Sequence, residues 1–242
     1  MNIGFERITL TSGYPLGTSA EKLAGLTWDS QKTVAKKFKQ GLKIALRDAQ
    51  VGLCCYCRRQ LHDDGDVDFE HFVDKDCYPK YTYEIKNLAL SCGTCNTNKN
   101  GRFKSLRSRL KKRYAHFGPW FPVTPTIKRS VFPSAPFPIA EADFRWVSPH
   151  FHEYSQHITL TGPMVFRGIS AQGRRTIRGC KLNDLSKVEF RVFKERCKRF
   201  SNGGLSDALF DIDHLSQQQV EDLLGNLASQ IRATRNANLQ QL

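Results

Sequence analysis

Nowhere do the 242 residues hold 18 consecutive apolar residues, and the first residues contain no apolar run long enough for a signal peptide. A cytoplasmic, soluble protein is the expectation. No G-x-x-x-x-G-K-[S/T] stretch is present, so nothing here reads as a nucleotide phosphate loop. There is no internal repeat. Acidic residues are missing altogether from 85 to 140, where eleven lysines and arginines occur. In a reducing compartment, disulfides are equally unexpected, so the eight cysteines argue for metal.

What is present begins with charge. Thirty-seven Lys and Arg stand against 23 Asp and Glu, a net charge of +14, which favours a polyanionic partner such as nucleic acid. With 40% hydrophobic and 25% charged residues the chain is ordinary for a globular protein, which excludes wholesale disorder. Just before the basic stretch lie Asp63, Asp64, Asp66, Asp68, Glu70, Asp74 and Asp76, interrupted by Lys75. An acidic pocket beside a basic platform suits a cation site next to a phosphate track.

Periodicity divides the chain. Apolar residues at helical spacing from Asp29 to Gln50 predict an amphipathic helix. Short strands are expected around Cys54 and over Val67–His71, separated by the Asp63-Asp64-Gly65 turn. Asn96 to Arg113 reads as a basic helix. Six prolines between 118 and 138 mark an extended connector. Beyond it, Ile158–Leu160 and Met164–Phe166 read as strands. Two helices are expected to start at Ser186 and Ser216, each followed three residues on by a Glu or Gln. The divisions expected are 1–50 (strand, loop and helix), 51–117 (the site), 118–142 (connector) and 143–242 (an α/β and helical region that binds a partner).

Cys54-x-x-Cys57 and Cys92-x-x-Cys95 form two knuckles with 34 residues between them. Four thiolates suit tetrahedral zinc and close the site to water, so the ion would be structural. Cys55 and Cys77 stay open as alternative ligands. Cys180 and Cys197, on an expected strand and an expected helix, read as core residues. Between and after the knuckles come Asp68-Phe-Glu70-His71, Asn87 and Asn96-x-x-Lys99. Hydrolysing a phosphodiester needs a base for water and relief of charge on the departing oxygen. Imidazole titrates near neutrality and can serve as that base.

This arrangement resembles the HNH nuclease superfamily, whose ββα-metal core often lies between two zinc knuckles. The resemblance implies an α+β fold: a zinc-stapled ββα core, a flanking N-terminal helix and a C-terminal strand and helix region. It implies His71 as general base and Glu70 and Asn96 as ligands of a catalytic Mg²⁺ or another divalent ion. Asn87 would orient the histidine, and Lys99, Arg102, Lys104 and Arg107 would hold phosphates. Gln50-Val-Gly-Leu-Cys-Cys-Tyr-Cys57, Glu70-His71-Phe72, and Asn87 through Lys99 are similar to one bacterial subfamily. Downstream, Pro149, His157, Gly173–Ile177, Leu182-Asn183 and Arg191 also fit it. That subfamily supplies nuclease subunits to Septu-type antiphage defence and to some retrons. The implied partners are a PtuA-like ABC/SMC-type ATPase, nucleic acid, and a retron reverse transcriptase with its product. One departure is that Val73-Asp74-Lys75 follows Glu-His-Phe, where many members have Arg and Pro. RNA such as tRNA is the alternative substrate, and a non-catalytic zinc-dependent nucleic-acid-binding subunit is the alternative class.

Overall fold

The computed structural model describes residues 4–11, 13–61, 67–128 apart from 114–123, 134–161 and 165–184. Within the long helix the side chains of residues 106, 107 and 110–113 lie outside that description. The chain divides into two compact units, Met1–Leu160 with Phe166–Leu182, and Thr161–Val165 with Asn183–Leu242. Of the second, residues 161, 165, 183 and 184 are described, so the helices expected from Ser186 and Ser216, with Arg191 and Cys197, lie outside the described residues.

The described chain is mixed α and β. A short helix α1 (Ala20–Leu23) precedes α2 (Thr33–Ala49), which buries Ala35, Phe38, Leu42 and Leu46 along one face. The periodicity located α2 but began it four residues early. Ser30 N–H bonds the Thr27 carbonyl in a turn, and helical bonding starts only after Lys32. β1 (Val67–His71) then pairs antiparallel with β2 (Leu88–Cys92), setting Glu70 opposite Ala89 and His71 opposite Leu88. The second strand runs directly into α3 (Gly93–Arg113), which packs on both strands.

The strand expected at Cys54 is not formed. A single bridge joins Leu53 to Gln60, and between them the chain turns tightly with Arg58 at φ 55°. Cys54 N–H reaches the Arg59 carbonyl and Arg58 N–H the Cys54 carbonyl, which makes a knuckle rather than a strand.

A buried amide ties these parts together. The Gln50 side chain accepts from Leu90 N–H at 2.7 Å and donates to the Leu90 and Leu53 carbonyls. It stands beside β2 as an extra strand residue would, satisfying backbone groups that burial would otherwise leave unpaired. Cys55 N–H shares the Leu90 carbonyl, so the end of α2 and the first knuckle share one anchor on β2.

Further along, β3 (Ile158–Thr161) and β4 (Val165–Gly168) form a second two-stranded sheet, followed by α4 (Ala171–Cys180). Cys180 thus ends a helix rather than sitting in a strand, and it is buried as expected. The α4 glycines are required by space. A Cβ at Gly173 would lie 1.9 Å from the His157 carbonyl oxygen, and one at Gly179 equally close to the Trp146 ring. Asn98 of α3 donates to the Cys180 carbonyl at 2.9 Å, which ties the two helices. Among the described residues no helix is long and apolar enough to cross a membrane.

Candidate functional site

The knuckles meet at the start of α3. The sulfurs of Cys54, Cys57, Cys92 and Cys95 all lie within 4.8 Å of one another, and among the described residues they are the one group that could hold a metal ion. Cys92 N–H donates to the Cys54 sulfur at 3.4 Å, an additional bond that suits a thiolate. Burial opposes ionisation of Cys54, but the S–H groups of Cys55, Cys57, Cys92 and Cys95 outweigh it and pull its pKa well below a free thiol's. Those of Cys57 and Cys95 are pushed well up by the same neighbours. Four thiols this close, three of them buried, share charge well around a cation, and a four-sulfur set suits zinc. Cys55 and Cys77 do not belong to the cluster.

Strand alternation gives β1 two working faces. Asp68 and Glu70 point toward α3, where Asn96 Nδ2 donates to Asp68 Oδ2 at 3.0 Å. Glu70 is fully buried. One of its oxygens accepts from Tyr56 O–H at 3.0 Å and from the Lys99 ammonium, which also donates to the His71 carbonyl. The other oxygen, Oε2, is buried with no hydrogen-bond partner among the described residues. Lys99 itself is 2% exposed; burial draws its pKa down, while the Glu70 carboxylate bonded to it favours the ammonium. It lies inside, facing Glu70, rather than on the surface where the basic run would put it.

Phe69 and His71 occupy the other face. The Trp28 ring meets Phe69 edge-on at 5.3 Å and His71 edge-on at 4.5 Å. Trp28 is held in turn by Tyr83, whose ring lies 5.5 Å away and whose hydroxyl donates to the Thr27 carbonyl. His71 Nε2 contacts the Thr82 carbonyl at 3.1 Å. A carbonyl can only accept, so Nε2 carries the proton and the Nδ1 lone pair remains available. Burial pushes the imidazole pKa down to about 4.

Asn87 reaches the histidine at one remove. It is fully buried, donating to the Val73 and Tyr81 carbonyls and accepting from Val73 N–H at 2.7 Å. This clamp fixes the loop in which Thr82 follows Tyr81. The residue therefore sets the carbonyl that sets His71.

A cavity of about 340 Å³ opens at this point. Trp28, Phe69 and Phe103 give it apolar walls, His71, Asn96, Lys99 and Asn100 polar ones, and Asp74, Lys75, Asp76 and Lys104 charge. Of the residues expected at the site, His71, Asn96, Lys99 and Lys104 line the cavity. Glu70 and Asn87 stand behind it, and Arg102 is half-exposed on α3. The side chain of Arg107 lies outside the described residues. Trp28, Tyr56 and Thr82 were not singled out by the sequence, while Asp68 was read as part of the acid–histidine motif without a role of its own. Trp28 precedes its helix and Thr82 acts through its backbone, so neither carries a motif. Tyr56 stood within the first knuckle and could have been weighed.

A 62-residue stretch of the chain is 36% identical to the Septu protein PtuB of Bacillus thuringiensis. It covers 25% of this chain and 24% of that protein, so the chain matches about a quarter of its curated relative. No family model and no solved structure matches. The described molecule is an α+β protein with weak homology to PtuB and a four-cysteine cluster able to hold zinc.

Proposed function

We propose that this chain is an HNH-type endonuclease that hydrolyses nucleic-acid phosphodiester bonds, with β1, β2 and α3 as its ββα core. It would act in antiphage defence beside a PtuA-like ATPase, as the partial similarity to PtuB suggests. The observation that carries the reading is the setting of His71. Its Nε2–H is committed to the Thr82 carbonyl, which leaves Nδ1 as the atom free to accept a proton, its ring is braced by Trp28, and the residue lines a polar cavity beside the basic helix α3.

In this reading Nδ1 takes the proton of the attacking water, a role typically worth about 10²–10⁴-fold. Lys104 supplies positive charge at the cavity for the phosphate, Lys75 being paired with Asp76 at 3.6 Å, and Arg102 extends it along α3. The clamp by Asn87 fixes the imidazole before substrate arrives.

The divalent ion implied by the resemblance fits these residues poorly. Glu70 already has Lys99 as its counter-charge, and Asn96 turns its amide to Asp68 and Asn100. Glu70 Oε1 and the Asn96 oxygen are engaged by different groups, the former by Lys99 with Tyr56 and the latter by Asn100, and Glu70 Oε2 alone is left without a partner among the described residues. Glu70 accordingly works here as half of an internal ion pair, and Lys99 holds the Glu70–His71 segment from behind.

The pH dependence tests the assignment. A base whose pKa is lowered stays neutral until the pH falls to that value, so kcat/KM should remain flat from pH 8 down to about 5 and fall only toward pH 4. An unperturbed histidine would instead halve the rate near 6.5. A rate profile on a labelled oligonucleotide separates these, and a break at 6.5 would exclude the buried His71 as the base.

A further inference from the structure

A row of cations on α2 is not used by the site as described. Lys32 at the N-cap, Lys36, Lys39, Lys43 and Arg47 follow one another at intervals of four, three, four and four. At 3.6 residues per turn they fall within an arc of about 80° and extend over roughly 22 Å. The helix's one acidic residue, Asp48, lies well round from that arc. Its apolar face, through Phe38, Leu42 and Leu46, is turned into the core.

The row joins the cavity at one point. The Lys39 ammonium lies 5.0 Å from the centre of the Trp28 ring, and Trp28 is a wall of the cavity that holds His71. Among the described residues no carboxylate pairs with Lys32, Lys36 or Lys39. Like charges three and four residues apart on a helix repel one another. A helix shaped for stability alone would alternate signs along this stripe. An unbroken row of positive charge is complementary to a row of phosphates, which repeat every 3.4 Å along a strand.

We propose that this stripe on α2 is a second phosphate-binding track, which holds a nucleic-acid backbone as it passes Lys39 and Trp28 into the cavity. It rests on the nuclease reading, since the strand it guides is the substrate of His71. The track makes phosphate contacts and no base contacts, so it adds affinity without sequence preference. Single strand and duplex are distinguished by the magnitude of the salt slope, about 0.7 per neutralised phosphate for the former and 0.9 for the latter.

The test is the salt dependence of binding in a His71→Ala background, with fluorescence anisotropy of a labelled oligodeoxynucleotide, alone and annealed. Exchanging Lys32, Lys36 and Lys39 together for glutamine should lower the magnitude of the slope of log K against log salt by about 2 on the single strand or about 3 on the duplex. Lys37→Gln, on the same helix but off the stripe, should leave it unchanged, and thermal melting of both variants checks the fold. An unchanged slope in the triple variant overturns the track while leaving the role of His71 intact. Absence of any binding by the parent overturns both.

Discussion

Cys92→Ser is expected to release the zinc ion and cost the protein more than about 5 kcal/mol, a large part of the 5–15 kcal/mol that stabilises a typical domain. Apparent binding energies of structural zinc reach about 10–16 kcal/mol in small zinc-finger peptides, and much of that is folding energy. Here the four sulfurs clip the turn after α2 to the junction of β2 and α3. Losing one ligand would free the knuckle that also anchors Tyr56, and through Tyr56 the Glu70 carboxylate. Metal analysis with thermal melting reads both effects. Cys55→Ala and Cys77→Ala should keep one zinc per chain. A Cys92→Ser protein that retains zinc and its melting temperature would refute the pairing.

Lys99→Met is expected to destabilise by about 3–5 kcal/mol, because it strands the Glu70 carboxylate in the interior without its cation. For a chain of this size that corresponds to roughly 6–20 °C in Tm. Both partners are almost wholly inaccessible, Lys99 at 2% and Glu70 at 0%, so solvent does little to screen the loss. Removing the charge from both sides should cost less than removing the lysine alone. Glu70→Gln combined with Lys99→Met is therefore expected to recover much of the stability, since glutamine keeps an acceptor for Tyr56. Denaturant titration of the two single variants and the double variant closes the cycle. Additive costs would mean that Lys99 and Glu70 do not depend on each other.

These two residues also mark how far the sequence could be read. Val67–His71 was legible as a strand because a period of two runs through it, and α2 because its apolar positions recur every three or four residues. The knuckle spacing pointed to the four sulfurs with Cys55 and Cys77 left open, and it said nothing of the backbone between them. A left-handed Arg58 turns that segment where strand-forming residues suggested extension. Lys99 stood in a basic run and so read as a surface cation. Its register gave a contrary signal, since Cys95, Lys99 and Phe103 recur every four residues on one face and all three are buried. The partners of Asn87 lie 6 and 14 residues away in loops without periodicity, and Thr82 contributes a carbonyl that every residue possesses. Such contacts leave no mark on residue type. The stripe on α2 was visible as lysines and arginines between apolar positions, but its approach to the cavity depends on where Trp28 sits.

The most direct test of the nuclease reading is cleavage of labelled single- and double-stranded nucleic acid by the purified chain, with and without an ATPase partner, compared with His71→Ala at equal zinc content. The account predicts that the parent cuts and that His71→Ala loses about 10²–10⁴-fold in rate while keeping its zinc and melting temperature. Equal rates for the two proteins would contradict it.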